Sequence, residues 1–197
     1  MSALPKSAEA EAEMTVAEFF AWAEEADGRW QLVDGVPVAM SPPSRSHGAI
    51  QSELCYLITR GLIENGAPRS VVSGAGVIPR VNADKNVRIP DVSVVCGGYV
   101  TEERALTEPV VVIEVLSPGN MRQNWANVWT YTTIPSVKEI AVFQSQSLGV
   151  KLLRRQPDGG WPKEPETVET GDLALESIGV SFPLAAAYRT TRLCHET

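Results

Sequence analysis

The chain has 197 residues, of which 44% are hydrophobic, 21% charged and 7% aromatic. That is the composition of a globular protein long enough to bury one core, and it excludes collagen-like repeats, coiled coils and wholly disordered chains. The net charge of −7 arises mainly in residues 1–29, where seven acids face only Lys6 and Arg29, so the remaining chain carries just −2. It cannot hold nucleic acid through bulk positive charge, and any such contact must come from a local patch.

Residues 1–13 are rich in Ala and Glu without an apolar period, and are expected to form a flexible leader before one domain over 14–190. Thr15-Val-Ala-Glu18 has the capping-box pattern that opens a helix, and Val16, Phe19, Phe20 and Ala23 supply its apolar stripe. Trp30 to Met40 reads as two short strands turning at Asp34-Gly35. Ile50, Leu54, Leu57, Ile58 and Ile63 repeat at helical spacing from Ser46 to Asn65, with Ser44 or Ser46 as cap and Gly66 as stop. Strands are expected at Val71–Ser73, Val77–Val81, Asp91–Cys96 and Val110–Leu116, the last almost continuously apolar, as in a strand buried on both faces. Ser117-Pro118-Gly119 then precedes a helix with Trp125, Val128 and Trp129, followed by strands at Val137–Phe143 and Gly149–Arg154 and a short β-rich tail. The pattern describes one α/β (α+β) domain with a mixed sheet.

Cys55, Cys96 and Cys194 form no C-x-x-C site, and the odd count gives no disulfide framework. No apolar run reaches the ~20 residues of a membrane helix, and the acidic start lacks a signal-peptide pattern. The expectation is a soluble, cytoplasmic protein without membrane contact.

Glu114 is the most informative residue, because it interrupts the apolar run Val-Val-Val-Ile-Glu-Val-Leu. A buried unpaired carboxylate costs several kcal/mol, so it must be paired, protonated or bound to a cation. Arg88 is one available partner. Asp91 places a second acid at the start of a neighbouring strand, and two such carboxylates could converge on a hard divalent cation such as Mg²⁺. Elsewhere, Arg45 and His47 at a helix start could meet a phosphate or merely cap and pack. Trp125 and Trp129 could stack on bases or fill the core. Arg154-Arg155 reads as a solvated strand end with DNA-backbone contact as the alternative, and Gly74-Ala-Gly76 carries no nucleotide-binding pattern.

Pro90-Asp91 and Glu114-Val-Leu-Ser-Pro118, preceded by Trp30-Gln-Leu-Val-Asp-Gly35 and Met40-Ser-Pro-Pro-Ser-Arg-Ser-His47, resemble the restriction endonuclease-like family often called Uma-two, within the PD-(D/E)XK nuclease superfamily. The resemblance runs from about residue 14 to 188. It implies a restriction endonuclease-like core with a mixed central sheet flanked by helices, DNA as substrate, Mg²⁺ or Mn²⁺ as cofactor, and a homodimer. Carried over, Asp91 and Glu114 fall on the metal-binding acids, the Val115 carbonyl on the backbone ligand, and His47 on the helix-start histidine.

The departures concern charge. Gln31 stands where the family has a glutamate, Leu116 at the superfamily's lysine position, and Asn124 and Val128 where the family's Asp-x-x-x-Lys would lie. Residues 115–137 contain no Asp, Glu or Lys, and Arg122 is their one charged residue. Arginine could stabilise developing charge but could not take a proton; Lys138 lies beyond the helix. Loss of one such preorganised group typically costs ~10²–10³ in rate. Reduced activity and weaker metal binding are therefore expected, and the alternative is an inactive nuclease-fold subunit that binds nucleic acid or dimerises. Gln31→Glu with Val128→Lys should separate the two.

Overall fold

A computed structural model of the chain describes residues 13–97, 104–117 and 121–194. The leader expected over 1–13 therefore lies, Glu13 apart, outside the described residues, as do Pro118 and Gly119.

Helix α1 (Val16–Ala23) begins at Thr15, whose hydroxyl accepts from the Glu18 amide while the Glu18 side chain accepts from the Thr15 amide. This capping box satisfies two amides that the first turn leaves without partners. Strands β1 (Trp30–Val33) and β2 (Val36–Ala39) form the expected hairpin. Its turn puts Asp34 at φ 48° and Gly35 at φ 85°, the left-handed pair that the Asp-Gly signal demands. Helix α2 (Arg45–Glu64) is capped by Ser44 rather than Ser46, and ends before Gly66, whose φ is 65°.

The remaining strands are β3 (Arg69–Ser73), β4 (Gly76–Val77), β5 (Val92–Cys96), β6 (Ala105–Leu106), β7 (Pro109–Leu116), β8 (Glu139–Gln144), β9 (Val150–Arg154), β10 (Glu166–Val168), β11 (Asp172–Leu175) and β12 (Val180–Pro183), with helix α3 (Met121–Tyr131) between β7 and β8. Six strands make the central sheet in the order β10-β9-β8-β7-β5-β3. Within this sheet β7 and β8 are the one parallel pair among the described residues, and α3 is the crossover that such a pair requires. The strand expected over Val77–Val81 reaches only to Val77. Pro79 has no amide to donate, and Asn82 turns left-handed at φ 44°, so the segment leaves the sheet as a loop.

Alternation along β7 divides the core. Val111, Ile113 and Val115 pack toward α2 and the β11–β12 hairpin, while Val112 and Leu116 pack toward Val128 and Tyr131 of α3. Because side chains alternate with a period of two, Glu114 belongs to the α3 row. A third cluster seats Phe19 of α1 on Leu32 and Val87.

Helix α2 approaches β12 closely at Gly61, where an added Cβ would lie 2.7 Å from Val180 Cγ1. Gly61→Val should therefore destabilise the fold by about 1–3 kcal/mol through overpacking. Thermal unfolding of this variant beside the exposed control Gly66→Asn measures the difference.

Candidate active site

Register brings the two acids together. Val92 pairs with Ile113 across the antiparallel β5–β7 ladder, and continuing it by one residue sets Asp91 opposite Glu114. Both side chains are buried, at 8% and 4% exposure. They lie at the base of a cleft of about 490 Å³ whose walls include Gln31 from β1, Ser41 to Ser44, His47 from the first turn of α2, Ser117 after β7, and Asn124 and Asn127 of α3. Arg29, just before β1, also lines it.

Asp91 is held at three points. Its Oδ1 lies 2.9 Å from His47 Nε2, its Oδ2 accepts from the Val115 amide at 2.7 Å, and its backbone carbonyl accepts from Gln51 Nε2 at 2.7 Å. The other ring nitrogen of His47 lies 3.1 Å from Ser117 Oγ. With the serine hydroxyl donating there, a neutral imidazole would present Nε2–H to Asp91. The His47 amide in turn donates to Ser44 Oγ at 3.2 Å, which ties the ring to the helix cap.

Glu114 has a different partner from the one the sequence offered. Tyr131 of α3 donates its hydroxyl to Glu114 Oε1 at 2.6 Å, whereas the Arg88 guanidinium turns to the Leu32 carbonyl. Arg88 Nε has no hydrogen-bond partner among the described residues. Burial pushes the Glu114 carboxyl well above the usual carboxylate range; the charge of Asp91 and a hydrogen bond between the two acids push the same way, and only the Tyr131 hydrogen bond opposes them. Burial followed by the charge of Glu114 likewise raises the Tyr131 phenol well above its ordinary value. The pair thus resists carrying two negative charges without a cation.

Mg²⁺ is commonly held by one or two carboxylates, with water and substrate completing its shell. Asp91 and Glu114 meet that requirement in kind, since an ionised carboxylate has more lone-pair sites than the hydrogen bonds occupy here. Gln31 is buried with its Oε1 accepting from Asn127 Nδ2 at 3.3 Å. Among the described residues no cluster of three or more His, Cys, Asp or Glu side chains is arranged to hold a metal.

The two positions that the resemblance matches to lysine, Leu116 and Val128, lie in the core. Val128 is fully buried in the α3 core cluster, and Leu116 is 3% exposed in the same cluster. It is Asn124 and Asn127, three residues apart on α3, that line the cleft. Lys138 gives no substitute. Its amide bonds Val110 at the far end of β7, while Glu114 is level with Val142, four residues further along β8, about 13 Å at the usual rise of a strand. Arg122 lies in α3, and its side chain is outside the described ones.

The remaining candidates differ in their surroundings. Trp125 packs partly buried against the α3 cluster, whereas Trp129 is 45% exposed. Arg154 pairs with Glu139 and Glu166, and Arg155 donates to the carbonyls of Thr132, Ile134 and Val137. Cys55, Cys96 and Cys194 are free thiols. No helix among the described residues is long and apolar enough to cross a membrane.

The family model described as "Uma2: Putative restriction endonuclease" matches residues 16–186. A search of curated proteins gave no match. Among solved structures, a putative nuclease from Anabaena variabilis is similar with a TM-score of 0.68 at 16% identity, over 89% of this chain and 98% of its own. This likeness shows the fold, and the expected core of a mixed central sheet flanked by helices is borne out.

Proposed function

The chain belongs to the Uma2 family of putative restriction endonucleases, and we propose that it is a divalent-cation-dependent DNA endonuclease whose activity is reduced by the loss of its lysine. The observation that carries this reading is the buried Asp91–Glu114 pair at the base of the cleft, with neither carboxylate bonded to Lys or Arg among the described residues. Asp91, Glu114 and the Val115 carbonyl would hold Mg²⁺ or Mn²⁺, with Gln31 and His47 as accessory groups. When bound, the cation supplies Lewis acidity and an activated water for phosphodiester hydrolysis.

The chain's own residues provide orientation. Val115 and His47 fix the two Asp91 oxygens, and Tyr131 fixes one oxygen of Glu114. Gln31 brings a carbonyl oxygen without charge where the family has a glutamate, and that oxygen accepts from Asn127. Offset of the charge that develops at phosphorus would therefore fall to the substrate-facing donors of the cleft and to a bound cation. The reading takes residues 14–190 as one nuclease domain that works as a cytoplasmic homodimer.

Calorimetric titration with Mn²⁺ tests the site without a known substrate. The parent should bind and Asp91→Asn should not, while both remain folded by circular dichroism. In parallel, plasmid cleavage with Mg²⁺ or Mn²⁺ should be lost in Asp91→Ala; undiminished cleavage by that variant would overturn the assignment. Absence of Mn²⁺ binding in the folded parent would instead favour the inactive subunit, whose supporting observation is the buried Val128.

A further inference from the structure

The cleft poses an electrostatic problem, since two acids lie at its base and the phosphodiester backbone is itself anionic. One described side chain among its walls carries a permanent positive charge, and it is Arg29. Its backbone is pinned where the β1–β2 hairpin begins. The Arg29 carbonyl accepts from the Met40 amide at 2.8 Å, and Trp30 donates from Nε1 to the Asp27 carbonyl at 2.9 Å. From this base the exposed side chain reaches across to Gly74 after β3. A Cβ on Gly74 would lie 2.7 Å from a terminal nitrogen of Arg29 and 3.6 Å from its Cζ, so the guanidinium rests directly against Gly74. Gly74 also has φ +64°, which favours glycine independently, and its amide donates to the Asp91 carbonyl at 3.3 Å.

The guanidinium is therefore placed against Gly74, whose amide bonds the backbone of the first acid, at the start of the β1–β2 hairpin and with no ion pair to any described acid. A planar five-donor cation is well suited to a phosphate, which it can grip through two parallel hydrogen bonds. We propose that Arg29 is the phosphate-binding residue of this cleft, contacting a DNA phosphodiester beside the acid pair and supplying positive charge at a site that lacks the family's lysine. The inference rests on the nuclease reading of the same cleft. Arg29 cannot act as a base, so its contribution is to binding and charge stabilisation rather than proton removal.

The test is anisotropy of a fluorescein-labelled DNA duplex with Ca²⁺ present, from 50 to 200 mM salt, on the parent, Arg29→Ala and Arg29→Lys, with Mn²⁺ calorimetry alongside. Arg29→Ala should weaken DNA binding about tenfold and flatten the plot of log affinity against log salt by about 0.9, one phosphate contact. Arg29→Lys should recover the salt slope but only part of the affinity, and Mn²⁺ binding should persist in both variants. If the parent binds Mn²⁺ and DNA while Arg29→Ala matches it in affinity and slope, the inference fails and the nuclease reading stands. A parent that binds Mn²⁺ but no DNA also overturns the inference. If the folded parent binds neither, the nuclease reading has failed, and the inference falls with it.

Discussion

Gln31→Glu combined with Asn127→Lys should raise Mg²⁺-dependent plasmid cleavage by about 10²-fold or more, the size of effect associated with one preorganised charged group at a transition state. The choice of residue 127 over 128 comes from the structure. Asn127 Nδ2 lies 3.3 Å from Gln31 Oε1 at the wall of the cleft, whereas Val128 is fully buried among apolar side chains. A lysine at 127 would face a glutamate at 31 and the acid pair beyond it, so its charge would be compensated where the chemistry needs it. A lysine at 128 would enter the cluster of Val112, Leu116, Tyr131 and Val142. Gln31→Glu with Val128→Lys should accordingly lose about 3–5 kcal/mol of stability, the usual cost of an uncompensated buried charge, and gain no activity. Thermal unfolding and timed agarose assays on the two double variants decide the matter. Equal cleavage by both, or a gain confined to the variant at 128, would show that α3 presents its other face to the substrate.

The contrast between 127 and 128 marks the limit of what the sequence displays. Local signals were legible: Thr15 and Glu18 form the capping box, Asp34-Gly35 turns the hairpin, and the apolar run ending at Leu116 is the central strand β7. The acid pair was legible too, because Glu114 breaks an apolar run and Asp91 opens the neighbouring strand. Periodicity identifies residues that share a helix face, but it does not say what stands opposite them. Nothing in the spacing of Asn124, Asn127, Val128 and Tyr131 assigns the first two to a cleft and the last two to the core. For the same reason the sequence offers Arg88 as a partner for Glu114, whereas long-range packing supplies Tyr131 and sends Arg88 to Leu32. Arg29 was invisible as a site residue because its setting depends on Gly74, 45 positions later in the chain. The strand expected through Val81 failed on a local signal that was present, Pro79 followed by Asn82.

Without metal, the stability of the protein should fall as pH rises above about 4.5, and Glu114→Gln should remove most of that fall. Burial, reinforced by Asp91, raises the folded-state affinity of Glu114 for its proton well above that of the unfolded chain, whose ordinary value is 4.5. Below that value both states hold the proton, and the favourable contribution is fully present. Above it the unfolded chain releases a proton that the native state retains, so stability declines until the folded group also ionises. The slope for a single proton is at most about 1.4 kcal/mol per pH unit. The amide of Glu114→Gln occupies the same space without ionising, and the Tyr131 hydroxyl can still donate to its carbonyl oxygen. Thermal unfolding in EDTA from pH 4.5 to 8 should therefore show a declining Tm in the parent and a flatter profile in the variant. Mn²⁺ should reverse the decline in the parent alone, because a cation that binds the ionised pair stabilises the native state in proportion to its occupancy. A parent profile as flat as that of Glu114→Gln would mean that the carboxyl is already ionised when buried, and that the pair is neutralised from within the protein rather than by a metal.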